Sequence, residues 1–346
     1  MEGSWDPQPG GSSGPPGRVA SRSVHAGRER HRRRRASGAA GLVLLAAQGC
    51  RGPGEPAPAA APPALAEPAP PASQLPAGPA PAPPARTDDA ILVAGERVPI
   101  GTRVVLWTEA PFFDGYAEAP RFSPSGAEGP RHRPGRAGLG EEPDLDALRG
   151  GVDQLVLHYD ACGSSADCFR VLHDLRKLSV HFLLDVDGTI YQTLDLREQA
   201  WHATKANPRS VGVEIANIGA YPPGEAQALW DWYGAEAGAA RAPSGVAFVE
   251  GVVQGQTLVQ GEFAPEQYWA LVKLAAGLCR ALPGIRPDAP RDAQGRLRDA
   301  VLSDAEFEAF HGILGHFHVQ ENKLDPGPAF PWERFLEDVR RELAAP

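Results

Sequence analysis

Outside its first 49 residues, the sequence has little positive charge. The chain has 346 residues and a formal net charge of −9. Residues 1–49 carry eight arginines and three acids, so 26 basic and 40 acidic residues remain in the rest of the chain. Binding to nucleic acid needs a basic face that neutralises phosphates. The acidic body of the chain therefore argues against a nucleic-acid partner.

The apolar run behind this basic end is too short to cross a bilayer, which takes about 20 residues. It covers Ala39–Ala47, follows Arg32–Arg35 and ends in small residues before Cys50. This layout is typical of a secretory signal, and its end resembles the cleavage site of bacterial lipoproteins. We expect residues 1–50 to export the protein to the periplasm or outer membrane, or to secrete it, with Cys50 as the lipidation site. An ordinary export signal with a stray cysteine is the alternative.

The first third of the chain lacks the apolar residues that a folded core requires. Residues 51–86 are almost entirely Pro, Ala and Gly with a few polar residues. Such a segment cannot offset its ordering entropy and favours an extended tether with polyproline II character. We expect a disordered N-terminal region with a linker over residues 51–90. Membrane contact would then come only through a lipid anchor.

One globular domain should begin near residue 90, because all twelve Phe and six of the seven Trp lie beyond residue 100. Residues 91–150 read as an N-terminal extension and loop, and residues 151–346 as the main domain. Hydrophobic periodicity and turn residues predict the elements. Strands are expected at Ile91–Val93, Arg103–Trp107, Gln154–Tyr159, Phe182–Leu184, Thr189–Gln192, Val211–Ala216 and Ile313–Val319, helices at Ala166–Leu178, from Pro265 and at Trp332–Leu343, and a hairpin in VAFVEGVVQGQTLV. This order predicts an α/β fold with a central mixed sheet flanked by helices.

Three segments concentrate metal-ligand residue types near predicted strand ends. They are LHYDACGSSADC, WHATKANPRSVGVEI and GHFHVQENKLDPGPAF. Two histidines and one carboxylate around zinc leave a coordination position open for a catalytic water. Taken singly, a histidine is more often a core or surface residue. That description fits His25, His31, His132 and His173.

At these segments the sequence resembles a known family. The order of a strand ending in His, SVHFLLDVDGTIYQ, WHA, VGVEI and the KLDPGPAF tail is similar to that of zinc-dependent N-acetylmuramoyl-L-alanine amidases. These enzymes are related to peptidoglycan recognition proteins and to a phage lysozyme. The resemblance covers about Val152 to Trp332. It implies the fold of that family and hydrolysis of the bond between N-acetylmuramic acid and L-alanine in peptidoglycan.

The resemblance implies a Zn²⁺ site formed by His158, His316 and Asp325. His318 is the rival for the second ligand, but the Gly-His pairing favours His316. The resemblance also places Glu214 where the family activates the attacking water and Lys323 where a cation stabilises the developing oxyanion. Val180 occupies a position where some relatives have a catalytic Tyr.

Two further histidines match cleft positions of the family. His202 in WHA and His181 in SVHFLL are expected to bind substrate, although His202 could instead lie beside the metal ligands. Glu214 has apolar neighbours at Val211, Val213 and Ile215, so it is expected to be buried. A buried glutamate needs a partner or a chemical role.

Three of the four cysteines lie in the predicted domain. The resemblance implies a disulfide between Cys162 and Cys168, because peptidoglycan recognition proteins have one with this spacing at this place, and export makes the bond reasonable. A zinc role for the pair is the alternative, but the spacing is long for a zinc knuckle. Cys279 lies on an apolar helix face and is expected to be a buried free thiol.

We therefore expect a monomeric, exported peptidoglycan amidase whose partner is the glycan strand with its stem peptide. A non-catalytic peptidoglycan-binding module is one alternative. Such modules usually lose the third ligand, whereas Asp325, Glu214 and Lys323 are all present. An amidase that recycles soluble muropeptides is the second, and the export signal and cysteine pair count against it.

If Cys50 is acylated, the mature protein will partition with membranes, and Cys50→Ser will release it. Fractionation of cells expressing each form, followed by immunoblotting, measures this. One acyl chain anchors weakly, so stable partition implies the full multi-acyl modification. A wild-type protein found wholly in the soluble fraction would leave only the plain export signal.

Overall fold

The computed structural model describes residues 89–123, 126 and 128–345. The predicted export signal, Cys50 and nearly all of the predicted linker lie outside these residues, so these assignments stay predictions. Within the described residues, no helix combines the length and apolar character that crossing a membrane requires.

Short strands and helices alternate along the described chain. The strands are β1 (Ala90–Val93), β2 (Glu96–Pro99), β3 (Val104–Leu106), β4 (His132–Arg133), β5 (Gln154–Tyr159), β6 (Phe182–Leu184), β7 (Ile190–Gln192), β8 (Gln199–Ala200), β9 (Ser210–Ile215), β10 (Ala220–Tyr221), β11 (Phe248–Val253), β12 (Gln256–Gly261) and β13 (Gly312–Gly315). The helices are α1 (Leu145–Gly151), α2 (Ser165–Phe169), α3 (Gln227–Tyr233), α4 (Pro265–Ala281), α5 (Asp304–Ala309), α6 (His316–Val319) and α7 (Trp332–Ala344).

Six strands form the central sheet in the order β13-β5-β9-β6-β7-β3. All neighbours in it are parallel except β6 and β7, which form an antiparallel hairpin. The sheet is therefore mixed, as predicted. Its outer strand β3 comes from the segment predicted to be an N-terminal extension, so that segment completes the edge of the sheet.

One face of the sheet forms the main hydrophobic core. Alternate residues of β5 and β9, namely Leu155, Leu157, Val211, Val213 and Ile215, are buried there. Helices α4 and α7 cover this face with apolar side chains that include those of Leu271, Leu278, Phe335 and Val339. Since side chains alternate along a strand, the intervening residues of β5 and β9 point to the opposite face.

That opposite face carries the polar residues. In the parallel register of β5 and β9, His158 is the partner of Glu214. Both belong to the alternate set that does not enter the main core, so they share a face. The apolar side of the strands thus fixes where these two side chains go.

The aromatic-rich insertion forms a separate small sheet with the order β10-β12-β11. The predicted hairpin corresponds to β11 and β12, which pair in antiparallel register from Phe248↔Gly261 to Val253↔Gln256. Helix α3 packs on this sheet through Leu229 and Trp230. The indole of Trp232 lies against Gly163 in the loop after β5.

Two predicted elements end earlier than expected. The strand predicted over Ile313–Val319 stops at Gly315, and His316 begins the helical turn α6. The imidazole of His318 accepts the backbone N–H of Gly315 at 2.9 Å, which stabilises the start of that turn. The helix predicted over Ala166–Leu178 begins at Ser165, where Ser164 caps it, and continues beyond Phe169 only as a π-helical segment to Leu175.

Candidate metal centre and cleft

Three side chains meet at the carboxyl ends of two neighbouring strands. His158 lies near the end of β5, His316 follows β13 directly, and Asp325 lies in the loop after α6. Because β5 and β13 are parallel neighbours, both histidines emerge at the same edge of the sheet. The backbone N–H of Phe317 donates to the carbonyl of Asp325 at 3.2 Å, which holds the loop against the turn.

The three side chains converge on one point. One oxygen of Asp325, Oδ2, lies 2.8 Å from His158 Nδ1 and 3.0 Å from His316 Nδ1. A set of ligand atoms, one from each residue, lies within 4.8 Å of one another, and all three residues are buried. The fold therefore brings together the three predicted ligands, which form the candidate metal group.

The electrostatics of this group suit a divalent cation. Burial, and then the charge of His316, lowers the pKa of His158 to about 4, so its imidazole is neutral near pH 7. Burial opposes ionisation of Asp325, but His316 and His158 outweigh it and hold the pKa of that carboxyl below its usual range. Two imidazole nitrogens and a carboxylate oxygen are a donor set typical of zinc.

The rival ligand His318 points elsewhere. Its side chain is buried, and its Nε2–H donates to the carbonyl of Arg298 at 2.9 Å. Its Nδ1 accepts the backbone N–H of Gly315. Both nitrogens are thus used by the backbone, and burial lowers the pKa of the ring to about 3. The geometry selects His316 over His318.

An open cleft of about 480 Å³ lies over the three ligands. Glu214, Lys323 and His202 are among its lining residues. Glu214 is only 9% exposed. Its pKa is raised well above the ordinary value, first by burial and then by the charges of Asp325 and Asp160. Glu214 therefore has a high proton affinity beside the three candidate metal ligands.

Lys323 supplies positive charge at the cleft. It lies two residues before Asp325 and is half-buried, and its backbone N–H donates to the carbonyl of Gln320 at 3.2 Å. No ion pair to another described residue holds its ammonium group. The charge is therefore free to meet a negative group in the cleft.

The comparison with protein families decides the classification. A family model described as N-acetylmuramoyl-L-alanine amidase matches residues 148–328, which is just over half of the chain. This chain belongs to that family. Comparison with curated protein sequences gave no match.

Solved structures with partial similarity include amidases and recognition proteins. Escherichia coli AmiD, in complex with anhydro-N-acetylmuramic acid-L-Ala-D-gamma-Glu-L-Lys, is 20% identical over 54% of this chain and 57% of its own, with a TM-score of 0.32. This chain thus spans little more than half of AmiD. Staphylococcus aureus AmiA with its ligand is 14% identical over 56% and 74% of the two chains, with a TM-score of 0.32. Drosophila PGRP-LB is 16% identical over 65% and 88%, with a TM-score of 0.29.

In this amidase-family domain, the two further histidines differ in position. His202 lines the cleft, with its Nδ1 lying 3.0 Å from His158 Nε2. His181 does not line the cleft. It is fully buried, its Nδ1 accepts the N–H of Gly212 at 3.1 Å, and its Nε2–H donates to the carbonyl of Glu198 at 3.0 Å. The structure does not place His181 in the cleft, because both ring nitrogens contact the backbone around it, and its role in substrate binding stays a prediction.

The cysteine pair lies at the cleft wall. Cys162 and Cys168 line the cleft and pack in one apolar cluster with Phe169, Val180 and Leu183. Burial raises the pKa of the Cys162 thiol to about 12 and that of Cys168 well above its ordinary value. Both are free thiols in this structure and neither belongs to the metal group, so the predicted disulfide stays a prediction. Cys279 is a buried free thiol, as predicted.

Among the charged residues that line the cleft, two were not singled out from the sequence. Arg176 follows the π-helical segment and Asp160 follows β5, and both line the cleft. Asp160 Oδ1 accepts the backbone N–H groups of Cys162, Gly163 and Asn217 at 2.9–3.0 Å, which shapes the loop beside the cleft. Asp160 was visible in LHYDAC as a polar residue at a strand end, whereas nothing in LRKLS distinguishes Arg176 from a surface arginine.

The purified protein is expected to bind one Zn²⁺ per chain, and His158→Ala should abolish this binding because it removes a ligand from a three-residue set. Elemental analysis of dialysed protein measures the stoichiometry. His311→Ala, which removes a partly exposed histidine outside the group, is the control and should keep one zinc. Full zinc occupancy in His158→Ala would contradict the assignment.

Proposed function

We propose that this chain hydrolyses the amide bond between N-acetylmuramic acid and L-alanine in peptidoglycan. The observation that carries the proposal is the joint placement of three groups in one cleft. These are a buried His-His-Asp set, a buried glutamate on the neighbouring strand and a cation without an ion-pair partner among the described residues. Membership of the amidase family supports the choice of substrate bond.

The residues His158, His316 and Asp325 would hold zinc. When bound, zinc supplies a Lewis acid that polarises an amide carbonyl and lowers the pKa of water. The remaining steps depend on side chains of this chain. All three ligands are present, which supports an enzyme rather than a binding module that has lost its metal.

Glu214 is the proposed general base. Its carboxylate accepts a proton from the attacking water as the new C–O bond forms at the lactyl carbonyl. The same proton then passes to the nitrogen of L-alanine as the C–N bond breaks. The products are a lactyl carboxylate on the sugar and a stem peptide with a free amino terminus. Burial suits this role, because a raised pKa brings the proton affinity of Glu214 nearer to that required at neutral pH.

Lys323 is the proposed oxyanion stabiliser. Negative charge develops on the former carbonyl oxygen as water adds, and a fixed positive charge in a cleft lowers the energy of that state. Lys323 and Arg176 both line the cleft. Arg176 could also bind a carboxylate of the stem peptide. We also propose that the domain acts outside the cytoplasm, because the N-terminal residues have the layout of an export signal.

The direct test is digestion of purified sacculi with the mature protein. We expect release of stem peptides with a free L-alanine amino terminus, leaving the glycan strands uncut, and we expect a zinc chelator to stop the release. Mass spectrometry of the soluble fraction measures both. Binding to sacculi without release would favour the binding module. Cleavage of soluble muropeptides alone would favour the recycling amidase.

Separating chemistry from metal binding requires substitutions outside the ligands. Glu214→Gln keeps the shape of the side chain but cannot take a proton, so turnover should fall by about 10²-fold or more while zinc stays bound. Lys323→Met should lower turnover by about 10²–10³-fold, because it removes the charge that stabilises the oxyanion, and zinc should again stay bound. Turnover of released stem peptide and zinc content are measured on the same samples.

Glu250→Gln is the matched control, because Glu250 is an exposed glutamate on strand β11. It should leave both turnover and zinc content unchanged. Loss of zinc in Glu214→Gln would show that Glu214 is a ligand. Full activity in that variant would show that the base lies elsewhere in the cleft.

A further inference from the structure

The imidazole of His158 has two nitrogens, and only one of them faces the metal group. Nδ1 points at Asp325, and Nε2 lies 3.0 Å from Nδ1 of His202. The two rings stand almost perpendicular, with an interplanar angle of 84° and centroids 5.2 Å apart. His202 therefore contacts a ligand without belonging to the ligand set itself.

The second nitrogen of His202 is also used within the chain. Its Nε2 lies 3.2 Å from the hydroxyl of Ser210, which is buried on strand β9. Because its Nδ1 contacts His158 and its Nε2 contacts Ser210, the ring of His202 has no free nitrogen that could bind a substrate. This argues against the substrate-binding role expected for His202 from the sequence, although the ring lines the cleft.

The surroundings of His202 fit an imidazole in this position. A Cβ added at Gly212 would lie only 2.6 Å from His202 Nδ1, so the absence of a side chain on β9 makes room for the ring. The amide oxygen of Asn207 accepts the backbone N–H groups of His202 and Ala203 at 3.1 and 2.7 Å. The bonds from Asn207, the space at Gly212 and the hydroxyl of Ser210 thus all constrain where the ring of His202 lies.

We propose that His202 is a positioning residue that holds His158 in its metal-binding tautomer. In that state His158 Nε2–H donates to His202 Nδ1, and His202 Nε2–H donates to Ser210 Oγ. His158 Nδ1 then carries a lone pair directed at the metal group. Partners of this kind orient metal-binding histidines and raise their basicity. The inference rests on the zinc site of the proposed function and names a residue that controls it.

Two substitutions of His202 separate this role from a structural one. An asparagine side chain places its amide oxygen where His202 Nδ1 lies, whereas a glutamine reaches towards the position of Nε2. His202→Asn can therefore still accept the proton of His158, and His202→Gln cannot do so from the same position. Both replacements are polar and lack the ring, so loss of packing affects them in a similar way.

Zinc affinity is measured by competition with a chromophoric chelator, and the ligand field by the visible spectrum of the Co²⁺-substituted protein. We expect His202→Gln to weaken zinc binding by about 10- to 100-fold and to alter the Co²⁺ spectrum. His202→Asn should recover most of the affinity and a spectrum close to that of the wild type. Unfolding of the metal-free proteins by urea reports any general loss of stability.

His173→Leu is the control for the loss of a buried, hydrogen-bonded imidazole. His173 is bonded to Asp174 and to the carbonyl of Ala117, away from the metal group. This variant should lose stability but keep the zinc affinity of its folded form. Equal zinc affinity in His202→Gln, His202→Asn and the wild type would overturn the inference. A wild type that binds no zinc would instead refute the metal site itself.

Discussion

The site depends on placing one carboxylate oxygen between two imidazoles in the protein interior. Asp325 Oδ2 contacts Nδ1 of both His158 and His316 within 3.0 Å, and none of the three residues is exposed. A charge in this position is costly to bury and is stabilised only by partners with good geometry. The parallel register of β5 and β13 provides that geometry, because it brings two strand ends to one edge. The charge of Asp325 also adds to the effect of burial in raising the pKa of Glu214.

Local patterns in the sequence predict the strands that carry the site, whereas the family resemblance predicts the roles of its residues. The apolar run before His158 shows a buried strand, and the alternation of Val211, Val213 and Ile215 puts Glu214 on the other face of its strand. The order of the motifs indicated which residues should meet. Their meeting depends on long-range strand pairing, which the resemblance implied but which periodicity alone does not specify.

Other features could not be predicted because they depend on contacts distant in sequence. Strand β3 joins the central sheet through β7, more than eighty residues later in the chain. His181 and His202 look alike in sequence, since each lies within a short motif typical of the family. His181 is hydrogen-bonded to the backbone of Gly212 and Glu198, whereas His202 contacts the candidate metal ligand His158. Only the packed structure shows which histidine has a free face towards the cleft.

Gly212 has a consequence for how this domain can change over evolutionary time. Its N–H is bonded to His181, while the space where its side chain would be is occupied by His202. A residue with a side chain is therefore excluded at position 212 unless His202 is replaced first. Replacing His202 alone leaves His158 without its partner. Residues 202 and 212 are thus expected to form an epistatic pair, in which the ring of His202 restricts the substitutions that position 212 can accept. A lineage in which His158 no longer needs a partner at position 202 would be released from the restriction at position 212 as well.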